Sequence, residues 1–152
     1  MKKVKKVFLG SDHAGFEAKE AIKHYFARKG IAFEDISPVK YEGDDYPAPS
    51  FAVATAVANT AHARGILVCG SGEGVAIAAN KVRGIRAVAA YDRYSAKMSR
   101  LHNDANVLAL SGWHFSPAKL KSLVSVWLTT EFSREKRHLR RIKEIAAYEA
   151  RR

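Results

Sequence analysis

The sequence predicts an α/β fold in a single domain, a five-stranded parallel sheet covered by helices on both faces. Three observations carry this. Short apolar runs alternate with helix-length segments along all 152 residues. The joints between them are rich in glycine and small polar residues, most sharply at Cys69-Gly70-Ser71-Gly72-Glu73-Gly74. No repeat, low-complexity tract or linker divides residues 1–152.

Val7-Phe8-Leu9 is the apolar centre of a first strand, closed by the polar turn Gly10-Ser11-Asp12-His13-Ala14-Gly15. A helix is expected from about Phe16 to Lys29, with Gly30 as its stop. Ile31 to Ile36 reads as a second strand. Ser37 to Pro49, with three prolines and the acidic run Glu42-Gly43-Asp44-Asp45, reads as a long loop, a length that points to function. Ser50 is the expected N-cap of an alanine-rich helix reaching about His62. Ile66 to Cys69 is a buried strand, and the helix after it stops at Gly84. Arg86 to Ala90 and Asn106 to Leu110 are further strands flanking a short helix, Tyr94 to Leu101. Pro117 opens a helix with Leu120, Leu123, Val124 and Trp127 on one face. A basic helix from about Ser133 to the end follows, with Leu139, Ile142 and Ala146 expected to pack inward.

Composition narrows the function classes. No apolar run approaches a membrane span, and Asp12 and His13 interrupt the basic amino terminus too early for a signal peptide. A single cysteine excludes an internal disulfide and fits a reducing, cytoplasmic compartment. The six histidines show no metal-ligand spacing, and one cysteine cannot build a structural zinc site. A formal charge of +11 favours anionic partners, although the excess sits mainly at the two ends. Stacking aromatics of the nucleic-acid-binding kind are missing, so no nucleic-acid partner is expected.

Glycines at 70, 72 and 74 let successive N–H groups converge on one point, a nest for an anion at the carboxyl end of a strand. The dinucleotide fingerprint fails at Val75, the P-loop lacks its Gly-Lys-Ser/Thr, and the hydrolase elbow does not fit around Ser71. A tight strand-to-helix turn without ligand is the plain alternative. Cys69 at the lip of the nest reads either as a small buried hydrophobe or as a thiol activated by a helix N-terminus. Asp12 is an N-cap or a ligand-binding carboxylate; Glu73 is a base or a carboxylate favoured at a helix start. The topology places Asp12, His13, Cys69 and the nest at one sheet edge, and the segment Ser99 to Asp104, with His102 and Asn103, is expected there too. Arg137 and Arg141 share a helix face, which is either simply solvated or turned to a phosphate.

Taken together, these segments resemble the type B ribose-5-phosphate isomerase family, which also contains the galactose-6-phosphate isomerase subunits. Gly10 to Phe16, Asp45-Tyr46-Pro47, Ile66 to Lys81, Gly84-Ile85-Arg86-Ala87, Ser95-Ala96, Arg100 to Asp104, Asn106-Val107-Leu108 and Arg137-His138 with Arg141 match in order. The resemblance implies a Rossmann-like three-layer sandwich whose C-terminal helix extends to a neighbouring subunit. It also implies a metal-independent, cofactor-free aldose–ketose isomerase working through an enediolate. By resemblance Cys69 is the base, His102 opens the furanose ring and Ser71 passes hydroxyl protons. Gly70, Gly72, Gly74 and Asn103 hold the enediolate oxygens, and Asp12 and Tyr46 contact the sugar. His13, Arg137 and Arg141 bind substrate, chiefly its phosphate. The expected partners are a sugar phosphate and a second copy of the chain, in a homodimer with shared sites or a tetramer.

Two positions depart from the family pattern. Some relatives carry a glutamate base after the third glycine, where this chain has Val75, which leaves the role with Cys69. The residue after Leu110-Ser111-Gly112 is usually a phosphate-binding arginine, and here it is Trp113. An indole cannot pair with phosphate charge, so the expectation of ribose 5-phosphate stands beside a tetrose or hexose phosphate. A sugar-phosphate binding module without catalysis is the rival from another class.

Overall fold

The computed structural model describes Val4 and residues 6–151. Five parallel strands, β1 (Lys6–Ser11), β2 (Phe33–Asp35), β3 (Ala63–Cys69), β4 (Ala87–Ala89) and β5 (Val107–Ser111), form one sheet in the order β2-β1-β3-β5-β4. Six helices alternate with them or follow them: α1 (Phe16–Lys29), α2 (Pro47–Ala58), α3 (Glu73–Ala79), α4 (Arg93–Asn103), α5 (Pro117–Thr129) and α6 (Lys136–Glu149). The α/β class, the parallel sheet and the two helical layers are as the sequence predicts.

The two-residue strand period sorts the core into two layers. Val7, Leu9, Ile66, Val68, Leu108 and Leu110 face α1, α4 and α5. Phe8, Leu67, Cys69, Val107 and Ala109 face α2 and α3. β3 is buried at every residue, which explains its unbroken apolar run. On α1, Ala18, Ile22 and Phe26 recur at four-residue spacing and are buried, and Gly30 (φ 63°) ends the helix in the left-handed region. Lys19, on the same face, is wholly buried, its ammonium 2.7 and 2.8 Å from the Asp35 carboxylate. That pair ties α1 to the end of β2.

The chain leaves β1 toward β2 and then returns to the other side of β1 as β3. This reversal makes the carboxyl ends of β1 and β3 a topological switch point, where ligands of open α/β sheets bind. The two strands approach closely there. A Cβ on Gly15 would lie 2.1 Å from the Val68 carbonyl oxygen, so only glycine lets the turn after β1 cross the end of β3.

Several expectations are corrected. Ser50 is not an N-cap: α2 begins at Pro47, and the Ser50 hydroxyl donates to the Tyr46 carbonyl at 2.6 Å from inside the helix. Pro47 and Pro49 sit in the first turn, where a missing N–H costs nothing. α2 ends at Ala58, and His62 (φ 62°) is in the turn before β3. α6 begins at Lys136 rather than Ser133, whose hydroxyl bonds the His138 ring at 2.8 Å. Of the residues expected inward, Leu139 is 39% exposed and Ala146 exposed, while Ile142 is half-buried; Ile145 and Tyr148 are also exposed, and His138 is the buried residue. α6 contacts α4, and near its far end Glu149 accepts the Gly84 N–H at 2.9 Å.

The Gly15 contact generates a stability prediction. Gly15→Ala should lower unfolding free energy by roughly 1–3 kcal/mol, the cost of overpacking a filled site. Urea unfolding followed by circular dichroism measures it, and an unchanged midpoint would show that the turn can move away from β3.

Candidate active site

The β1–β3 register pairs Ser11 with Val68, so Asp12 and Cys69 leave the sheet side by side. Asp12 is buried, and its Oδ1 accepts the Gly15 N–H at 2.9 Å, closing the turn that Gly15 permits. Burial raises the Asp12 pKa, against the opposing pull of that N–H. His13 stands on the outer side of the turn. Its main-chain N–H donates to Asp44 Oδ1 at 2.6 Å, and its ring Nδ1 lies 3.0 Å from the same oxygen. The Asp44 carboxylate raises the His13 pKa and so favours the imidazolium. Asp44 belongs to the long loop after β2, which crosses the carboxyl edge and gives that loop a structural reason for its length.

At the end of β3 the Cys69 sulfur accepts the Gly72 N–H at 3.2 Å. It sits beneath the loop rather than in open solvent, at 4% exposure. The three glycines serve different needs. Gly72 alone takes a left-handed conformation (φ 98°), as the N-cap of α3. Gly70 and Gly74 make room for aromatic rings. A Cβ on Gly70 would meet the Trp113 indole at 2.6 Å, and one on Gly74 the Tyr46 ring at 2.8 Å. Tyr46 and Trp113 therefore flank the glycine loop from two sides. β5 delivers Trp113 because it is the neighbour of β3: Cys69 pairs with Ser111, the Ser111 hydroxyl donates to the Gly70 carbonyl at 2.7 Å, and Gly112 follows.

Ser71 and Glu73 are coupled to a residue the sequence reading did not single out. Tyr91, two residues past β4, donates its hydroxyl to the Glu73 carboxylate and lies 3.3 Å from the Ser71 carbonyl. Hydrogen bonds from the Ser71 and Tyr91 hydroxyls hold Glu73 below the usual carboxylate range, while the Tyr91 phenol is pushed up to about 12. A carboxylate so stabilised is a weaker base, and Glu73 stands in the first turn of α3, where its charge is favoured. The signals for Tyr91 and Asp44 were positional, since both follow strand ends that the topology sends to this edge. Neither belongs to a motif.

The structure brings together Asp12, His13, Tyr46, Cys69, Gly70, Ser71, Gly72 and Gly74. It does not bring His102 or Asn103 to them, contrary to the single-edge expectation, and Arg137 and Arg141 also lie elsewhere. α4 starts at the carboxyl edge and runs antiparallel to the strands, and its eleven residues span about 16 Å. It ends at the amino edge, where Asn106 donates to the Arg86 carbonyl and the Asn103 and Asp104 carbonyls receive the Arg86 guanidinium. There His102 stacks at 4.4 Å on His138, which is buried and whose pKa burial lowers. Arg137 and Arg141 are exposed on α6, and Arg137 has Glu135 as a partner at 2.8 Å. The side chains thus form two clusters at opposite ends of the sheet. Among the described residues, no three His, Cys, Asp or Glu side chains converge as metal ligands.

These features have counterparts in known proteins. A sequence model of the ribose/galactose isomerase family matches residues 7–145. The ribose-5-phosphate isomerase B of Escherichia coli is 41% identical over 149 residues, covering 98% of this chain and 99% of its own. The D-erythrulose-4-phosphate isomerase of Pectobacterium atrosepticum is 39% identical over 127 residues, 83% of this chain and 84% of its own. The structure of Clostridium thermocellum ribose-5-phosphate isomerase B superposes with a TM-score of 0.90 at 39% identity, over 96% of this chain and 98% of that one. With a family match over nearly its whole length and a shared fold, the chain belongs to the ribose/galactose isomerase family.

Proposed function

We propose that the protein is an aldose–ketose isomerase interconverting ribose 5-phosphate and ribulose 5-phosphate through an enediolate. The observation that carries the reading is Cys69 at the β1–β3 switch point, its sulfur accepting the Gly72 N–H of the glycine loop. In the forward direction the Cys69 thiolate takes the C2 proton of the open-chain aldose and returns a proton to C1. The electrons left by the C2–H bond move into the C1–C2 bond, and the carbonyl π pair moves onto O1. Main-chain N–H groups of residues 70–74 face that charge, the kind of donor whose loss costs about 100- to 1000-fold in rate. Ser71 passes the hydroxyl proton between O2 and O1. Asp12 and Tyr46 contact the sugar, and His13, its pKa raised by Asp44, faces the phosphate.

His102, to which the resemblance assigns ring opening, lies at the opposite edge of its own chain. In the proposed assembly a second copy supplies the ring-opening group. His102 of that copy moves the anomeric hydroxyl proton to the ring oxygen as the C1–O4 bond breaks, Asn103 joins the nest, and Arg137 and Arg141 clamp the phosphate. The uncovered apolar residues of α6 and its outward arginines support this arrangement. A homodimer satisfies it with two equivalent sites. Trp113 favours a second reading of substrate, a four-carbon phosphate, because the indole fills the space beside Gly70 and carries no positive charge. The Pectobacterium relative is named for such a sugar.

Three outcomes are expected. Cys69→Ala should lower turnover by roughly 100- to 10,000-fold while sugar-phosphate binding persists, and should abolish solvent deuterium exchange at C2. Near-normal turnover removes Cys69 as base, and wild-type protein that binds without exchanging C2 is a binding module. Mixing inactive Cys69→Ala with inactive Arg137→Ala chains should restore about a quarter of wild-type activity, since half of randomly assorted dimers carry one intact site of two. No recovery despite subunit exchange rejects the shared site. In a panel of four-, five- and six-carbon aldose phosphates, ribose 5-phosphate should give the highest kcat/KM, with Trp113→Arg lowering its KM; a clear preference for the tetrose selects the second reading.

A further inference from the structure

A second group of cationic side chains lies at the amino edge of the sheet, apart from the arginines and histidines used above. A cavity of about 690 Å³ opens between the α2–β3 turn, the start of β3 and the α5–α6 linker. This volume falls in the range of small-molecule sites. Arg64, Arg100 and Arg134 line it, with His62, Asp104 and Glu131. Arg64 and Arg100 are each more than nine-tenths buried.

The charges do not balance locally. Asp104 is already shared by Arg100, at 2.7 Å, and Arg86, at 3.4 Å. Arg64 donates to the Trp127 and Leu128 carbonyls at 3.1 and 2.8 Å, an end-cap for α5. Among the described residues neither Arg64 nor Arg134 has a carboxylate at ion-pair distance. Burial and the neighbouring Arg100 guanidinium lower the Arg64 pKa to about 10. Capping α5 uses two of the five guanidinium N–H donors and leaves the others for the cavity.

Backbone conformation marks the same place. Three non-glycine residues among those described have positive φ: His62 (62°), Asp104 (46°) and Arg134 (57°). All three line this cavity. L-residues rarely take this conformation, and such departures cluster at functional sites. Asp104 is explained as the cap of α4, but His62 and Arg134 turn at two loops that meet only here. Val57 and Phe132 add an apolar wall. The site is distinct from the His102 group, because Arg100 and His102 stand two residues apart on α4 and project from different faces.

We propose that this cavity binds an organic phosphate monoester, its dianion held by Arg64, Arg100 and Arg134 and its carbon skeleton lying against Val57 and Phe132. Arginine forks match phosphate oxygens in pairs, which suits a site with several guanidinium groups around one anion. The proposal does not depend on the isomerase reading, which uses other arginines.

Calorimetric titration of the full chain with ribose 5-phosphate, adenosine 5′-monophosphate, inorganic phosphate and sulfate tests it, in an Arg137→Ala/Arg141→Ala background that silences the other phosphate-binding arginines. One organic phosphate per chain should still bind, more tightly than inorganic phosphate or sulfate. The tighter of the two organic ligands identifies a sugar or a nucleotide as the natural source. Arg134→Asn, chosen because Asn tolerates the left-handed conformation, should weaken binding about 10- to 100-fold. Glu131→Gln should tighten it about threefold by removing a like charge from the rim. No saturable binding, preference for inorganic phosphate or sulfate, or affinity indifferent to both substitutions overturns the proposal. Binding lost only through Arg137→Ala/Arg141→Ala assigns all phosphate affinity to the isomerase site and overturns it as well.

Discussion

The six-residue parallel register between β1 and β3 is the constraint on which the site depends. It fixes which residues leave the sheet together, and a one-residue slip would turn each side chain of one strand to the opposite layer. With Ser11 opposite Val68, Asp12 and Cys69 emerge as neighbours, and Gly15 can pass against the Val68 carbonyl. The turn after β1 and the loop after β3 are therefore one packed unit. β5 completes it, because its pairing with β3 carries Ser111 to the Gly70 carbonyl and Trp113 to the Gly70 Cα.

Around this unit the charged groups are organised by local partners more than by net charge. Lys19, Lys23 and Asp35 anchor α1 to β2, so the loop that carries Asp44 and Tyr46 starts from a fixed point. Asp44 in turn raises the His13 pKa, while hydrogen bonds from Ser71 and Tyr91 lower that of Glu73. Main-chain donors of the glycine loop lie between them. Trp113 adds an exposed apolar surface beside Gly70.

The direction of α4 has the widest consequence. A helix that returns antiparallel to its strand must deposit its last residues at the amino edge. His102 and Asn103 are carried there, and the α5–α6 linker adds Ser133 and α6 adds His138 to the same cluster. α6 then continues beyond the core with Ile145 and Tyr148 uncovered. Within one chain the two clusters of candidate site residues therefore lie at opposite ends of the sheet.

The sequence by itself determined the α/β class, the two-layer core and the glycine loop with its cysteine, because these rest on short-range periodicity and on residues confined to few conformations. It also determined that Gly30 stops α1 and that Pro117 opens α5, since caps and proline act within one turn. The start of α2 was misread at Ser50 because two prolines in the first turn made helical sequence resemble loop. What only the tertiary structure decided was the order of strands and the direction of each return. Those set the partnership of Asp44 with His13, of Tyr91 with Glu73 and of Trp113 with Gly70, and they separated His102 from Cys69. None of these contacts has a local signature, because each joins residues whose proximity depends on which strand lies beside which, and that follows from packing the whole sheet at once.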